Sequence, residues 1–145
     1  WKDVEAMVKE WDGEFCLKGI MSKEDARRAI EIGCTGIVIS NHGGRQLDGS
    51  RSSFDQLKEI MDEVGDEIDV LFDSGVQRGT HVLKTLSLGA KAVGIGRMYL
   101  YPLAAAGQPG VERALGLMHA ELERGMKLMG KTAISQLNHQ NLRFR

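Results

Sequence analysis

A marked excess of charge of either sign is missing from this sequence. Nineteen Lys and Arg stand against twenty Asp and Glu, a formal net charge of −1. That removes the electrostatic case for nucleic acid or an anionic membrane. Aromatic residues make up only 6%, too few for a stacking platform that would hold single strands. No run approaches the ~20 apolar residues of a membrane helix, and no secretory signal is visible. Cysteine is scarce. Cys16 and Cys34 are the only two, both in or beside apolar strand runs. No second ligand pair has metal spacing, so they read as core thiols and no metal site is expected. Such usage suits a reducing compartment. A cytoplasmic location is expected, with membrane association left open for a larger parent protein. The chain begins at Trp1 rather than Met, which points to a fragment or a processed product.

What is present is a repeat of strand, loop and helix with no hairpin signal. Trp1, Val4, Met7, Val8 and Trp11 fall at helical spacing, and Asp12-Gly13 stops that helix. Strands are expected at 15–20, 36–40, 69–73 and 90–96. Helices are expected from Ser22, an N-cap with Asp25 reaching back, to about Ile32; from Phe54 to about Val64; and from a Thr80 cap through Leu88. Two further helical stretches, 98–106 and 110–129, and a short tail helix near 134–137 complete the chain. Gly33–Ser40 and Gly89–Gly96 echo one another, a helix-ending glycine leading into a small-then-apolar strand. Repeats of this kind predict an α/β architecture with a parallel sheet or barrel. A full eight-fold barrel needs roughly 250 residues. Four strands therefore make about half of one, with open edges and an uncovered inner face.

The chemistry concentrates in Ser40-Asn41-His42-Gly43-Gly44-Arg45-Gln46-Leu47-Asp48, after the buried-type strand Gly36-Ile37-Val38-Ile39. Ligands bind at the C-terminal ends of parallel strands. His42 offers an imidazole that accepts a proton near neutral pH. Arg45 offers a fork that matches a carboxylate. Lys18 stands near the end of an apolar strand, where a charge needs a reason. Asp73-Ser74-Gly75-Val76-Gln77-Arg78-Gly79 and Gly96-Arg97 follow the last two strands, where phosphate sites form in barrels. His81, His119 and His139 read as structural. Met98, Met118, Met126 and Met129 read as core, and Glu112–Arg113 and Glu121–Arg124 as a solvated helix face.

The run Ser40 to Gln46 resembles the active-site signature of the FMN-dependent L-2-hydroxy acid dehydrogenases and oxidases. The resemblance covers essentially all 145 residues, but only the C-terminal part of the family's chain. It implies that residues 1–145 are the C-terminal half of a TIM (β/α)8 barrel domain, with the N-terminal half of the same protein as partner and a homotetramer as the assembly. It also implies FMN as cofactor and oxidation of an L-2-hydroxy acid to the 2-keto acid. By resemblance His42 takes a proton and helps bind substrate, and Arg45 binds the substrate carboxylate. Gln46 and Asp48 support the loop. Lys18 lies beside the flavin N1–O2 edge, where a cation stabilises reduced flavin, and Ser40 contacts the isoalloxazine. Asp73, Gly75, Gln77, Arg78, Gly96 and Arg97 fall in the cofactor-binding segments.

In the family the first phosphate segment usually reads Asp-x-Gly-Val/Ile-Arg. Gln77 stands in the arginine's place and Arg78 comes one residue later, so either Arg78 or Arg97 alone reaches the phosphate. The acidic partner of the histidine and an aromatic residue facing the substrate come from the family's N-terminal half. Gly44 and Phe54-Asp55 resemble lactate-oxidising members, which makes L-lactate the expected substrate and glycolate or mandelate the alternatives. Two other classes fit parts of the pattern. A different flavin or phosphate barrel fits the phosphate segments but not Ser40 to Gln46. A non-catalytic phosphate-binding half-barrel is the other.

Overall fold

The computed structural model describes residues 1–143. Four parallel strands form one sheet: β1 (Cys16–Ile20), β2 (Gly36–Ile39), β3 (Asp69–Phe72) and β4 (Ala92–Val93). Their spatial order follows their chain order. A doubly wound sheet would reverse direction part-way. Sequential order with crossovers of one hand instead keeps the connecting helices on one face, the arrangement of a barrel segment. The registers pair Cys16 with Gly36, Gly36 with Asp69, and Leu71 with Ala92.

Alternation decides which face is buried. Ile37, Ile39, Val70 and Phe72 are buried in one cluster with Ala26, Ala29, Leu57, Ile60 and Val64 of the helices. Cys16, Lys18, Val38 and Leu71 lie between them on the other face and remain at least partly exposed. Cys16 is therefore not the core thiol its apolar neighbours predict: it points to the uncovered face, whereas Cys34 is buried. Burial, with the nearby Asp69 charge, pushes the Cys16 thiol up, away from thiolate chemistry.

The helices are α1 (Lys2–Trp11), α2 (Lys23–Glu31), α3 (Ser53–Val64), α4 (Gly79–Ser87) and α5 (Arg97–Leu128). Ser22 caps α2 by accepting from Asp25 N–H at 3.1 Å, and Ser52 caps α3 through Phe54 N–H at 3.2 Å. Arg78, not Thr80, is the N-cap of α4, and it makes no side-chain cap bond. Gly33 and Gly89 end their helices with φ of +91° and +102°, so the sequence echo is a shared left-handed exit. The two stretches expected at the C-terminus form α5, broken by non-helical geometry at Ala106 and Gly107. The tail holds two short 3-10 turns, Ile134–Gln136 and His139–Asn141. Met118 packs against the core, while Met129 lies at the surface, 36% exposed. No helix of the described residues is long and apolar enough to cross a membrane.

Candidate active site

The C-terminal ends of all four strands open into one cleft of about 410 Å³. Lys18 enters it from β1; His42, Gly43, Arg45 and Gln46 from the loop after β2; Asp73 to Gln77 from the loop after β3; and Gly94 to Leu100 from the turn after β4 and the start of α5. Of the expected site residues, Lys18, His42, Arg45, Asp73, Gly75, Gln77, Gly96 and Arg97 line it. Ser40 lies beneath it, 1% exposed. Arg78 does not line it.

A polar network holds the cleft floor. Lys18 Nζ donates to Ser40 Oγ at 2.7 Å and sits 2.9 Å from Asp73 Oδ2. Ser74 Oγ donates to Asp73 Oδ1 at 2.8 Å. Ser40 Oγ also accepts from the backbone N–H of His42 at 3.2 Å, and Ser74 Oγ from that of Gly43 at 3.3 Å. The loops after β2 and β3 are thus tied to each other and to a lysine on β1. Burial by itself raises the Asp73 carboxyl, but bonds from Ser40, Lys18 and Ser74 outweigh it and hold the group below its ordinary value. Asp73 stays ionised, and so keeps the Lys18 ammonium fixed in place.

Two non-glycine residues at this cleft carry positive φ, His42 at 56° and Ser74 at 84°. Such conformations cost of order 1–3 kcal/mol and persist where surroundings over-determine them. Here the surroundings are the bonds just described, together with Gly43 N–H to Asn41 Oδ1 at 2.9 Å and Asn41 N–H to Ser53 Oγ at 3.0 Å. The His42 ring rests on β1. Gly19 has φ +96°, and a Cβ there would lie 2.9 Å from His42 Nε2. Glycine is what lets the imidazole lie against the strand next to Lys18. Arg45 forms no ion pair among the described residues and is exposed on the cleft wall. Asp48 accepts from its neighbour Gly49 N–H at 3.0 Å, which closes its own loop without reaching the cleft.

At the far end, Arg97 Nη2 donates to Gly43 O at 2.8 Å, joining the β4 turn to the histidine loop. A Cβ on Gly75 or Gly96 would meet nothing within 4 Å, so the backbone there is open to close approach by a ligand. Of the two arginines expected at this end, Arg97 lines the cleft and Arg78 does not. Arg78 Nε donates to Glu121 Oε1 at 2.9 Å, and Glu121 Oε2 accepts from Gly79 N–H at 2.7 Å. Glu121 is therefore not a solvated charge. It holds Arg78 on α5 and supplies the cap that Arg78 does not. The site is suited to a flavin mononucleotide: an ammonium at one end, open glycine backbone with Arg97 and Gln77 at the other.

A family model described as FMN-dependent dehydrogenase matches residues 1–144. The chain belongs to this family. Among its relatives are the FMN-dependent alpha-hydroxy acid dehydrogenase qulF of Penicillium citrinum, 48% identical over 99% of this chain and 36% of that protein, and the L-lactate dehydrogenase of Caulobacter sp. (strain K31), 46% identical over 98% and 37%. A flavocytochrome b2 variant with sulfite bound superposes with a TM-score of 0.90 at 44% identity, covering 97% of this chain and 38% of that one. The four-stranded segment is thus part of a TIM barrel, and the family is FMN-dependent. The chain spans a little over a third of the length of the relatives it matches.

Ser74, Gly19 and Glu121 were not singled out from sequence as site residues. The serine's place in Asp73-Ser74-Gly75 was the one available signal. The other two act through contacts with residues 23 or more positions away.

Proposed function

We propose that this chain supplies the proton acceptor, the carboxylate clamp and the flavin-side cation for FMN-dependent oxidation of an L-2-hydroxy acid, with L-lactate as the substrate. The carrying observation is the convergence of His42, Arg45 and Lys18 on one cleft whose opposite end is glycine and Arg97. Oxidation removes two protons and two electrons from the hydroxy acid. Arg45 pairs with the substrate carboxylate through two parallel hydrogen bonds and fixes which carbon faces the flavin. His42 takes one proton, the role its position beside Lys18 suits. Lys18, held by Ser40 and Asp73, places positive charge where negative charge develops on reduction. Bound FMN would supply the acceptor for the two electrons and the second proton. Arg97 and Gln77 would hold its phosphate; Arg78, occupied by Glu121, would not. The rest of the full-length protein covers the inner sheet face and completes the substrate pocket.

The test is an anaerobic visible spectrum of the full-length protein before and after L-lactate. Bleaching of a flavin spectrum by lactate is expected. A spectrum bleached by glycolate or mandelate but not by lactate would overturn the substrate, and one unmoved by any 2-hydroxy acid would overturn the chemistry.

A further inference from the structure

We propose that His81 is a positioning residue for the loop that takes the cofactor phosphate: it holds the Gln77 N–H and releases it when the imidazole is protonated. This rests on the reading that Asp73 to Gly79 lies at the phosphate end of the cleft. The N-cap of α4 leaves its first turn underserved, because Arg78 makes no side-chain cap bond. Glu121 satisfies Gly79 N–H from α5. The remaining anchor is His81, the third residue of α4, whose Nδ1 accepts from Gln77 N–H at 3.3 Å. Gln77 in turn lines the cleft. The bond requires an unprotonated Nδ1, the form in which Nε2 carries the ring proton.

Protonation acts twice in the same direction. It removes the lone pair that Gln77 needs, and it puts a cation at a helix N-terminus, where the dipole opposes it. The groups around the half-buried ring do not offset this. The recess beside it is lined by Ser52, the N-cap of α3, by Phe54 of α3, by Phe72 of β3, and by Lys84, itself a cation on α4. On the loop side Asp73 is engaged by Lys18 and Ser74, and Arg78 by Glu121 of α5. No carboxylate bonds the ring among the described residues. A protonated ring cannot accept from the Gln77 N–H, so acid that protonates it opens this anchor.

The test compares the full-length wild-type protein with His81→Asn, which keeps an acceptor that does not titrate. FMN and riboflavin binding to apoprotein are followed by flavin fluorescence at about pH 7.5 and about pH 5.5. The phosphate's own second ionisation, near pH ~6, is common to both proteins and cancels. The FMN affinity of the wild type is expected to fall with acid by about five- to tenfold more than that of His81→Asn, with no such excess for riboflavin. In the wild type, the exchange protection of the Gln77 amide should drop over the same range, a readout independent of whether the variant folds. Equal slopes, an excess shared by riboflavin, or unchanged Gln77 protection would overturn the role of His81. No FMN binding at about pH 7.5 would overturn the phosphate site itself and this inference with it.

Discussion

Replacing Gly19 by alanine separates stability from catalysis at this site. The backbone there has φ +96°, and an L-residue forced into left-handed backbone costs about 1–2 kcal/mol. That part appears as a lower melting temperature. The second part is local. The added methyl would stand 2.9 Å from His42 Nε2, whereas non-bonded heavy atoms sit comfortably at about 3.5 Å. The ring must therefore retreat by about half an ångström. Misplacement of a reacting group by about 1 Å costs about a hundredfold, so about tenfold is expected here, or roughly 1.4 kcal/mol of barrier. Steady-state kinetics on full-length Gly19→Ala should show kcat/KM for L-lactate down by about that factor, with flavin content retained. Inhibition by the 2-keto product, which reads the Arg45 clamp, should change little. If kcat/KM is unchanged in a protein whose melting temperature has dropped, the contact between His42 and β1 is structural only, and its role as proton acceptor loses its geometric support.

Arg45→Lys keeps the charge but loses the second parallel hydrogen bond, so KM for the hydroxy acid should rise about tenfold; steady-state kinetics read it, and an unchanged KM places the carboxylate elsewhere. Gln77→Arg adds a cation at the phosphate end, so FMN should bind about fivefold tighter and with a steeper salt dependence, measured by fluorescence titration of apoprotein. The Arg78 hydrogen bond holds the Glu121 carboxyl below its ordinary value, with burial opposing it. A depressed carboxylate stabilises the fold above the unfolded value of about 4.3 and loses that contribution as pH falls through the folded one. The melting temperature of the wild type should therefore drop below about pH 4.3 more steeply than that of Glu121→Gln, and parallel curves would sink the assignment.

The strands were legible because each carries a short, mostly apolar run bounded by glycine or a polar turn. The exception is β4, expected over 90–96 and observed as Ala92–Val93. It pairs on one side only, and Gly94 and Gly96 give it no side chains to pack. The start of α2 followed its Ser22 cap and α3 began one residue before the expected Phe54, whereas α4 did not follow Thr80, because Glu121 from α5 performs the cap. That is a tertiary contact between residues about forty positions apart, and no local pattern announces it. The same contact directs the Arg78 side chain to Glu121 of α5, outside the lining of the cleft, which its place in the segment after β3 does not reveal. His42, Arg45 and Lys18 were legible as a set because Lys18 lies on β1 and the other two on the loop after β2, and neighbouring strands open on one edge in a parallel sheet. The strain at Ser74 was not, since positive φ at a serine follows from the network around it rather than from its neighbours in sequence.

The sequential strand order also bears on how the chain assembles. Paired strand positions lie roughly 20 to 33 residues apart in all three ladders. Closing a loop of the longer span costs less than about 0.6 kcal/mol more than one of the shorter, because the entropy grows only with the logarithm of length. No single crossover is then the bottleneck. The segment can zip from either end, one strand and one helix at a time, each new strand docking on an edge already formed. It need not wait for distant parts of the chain to meet.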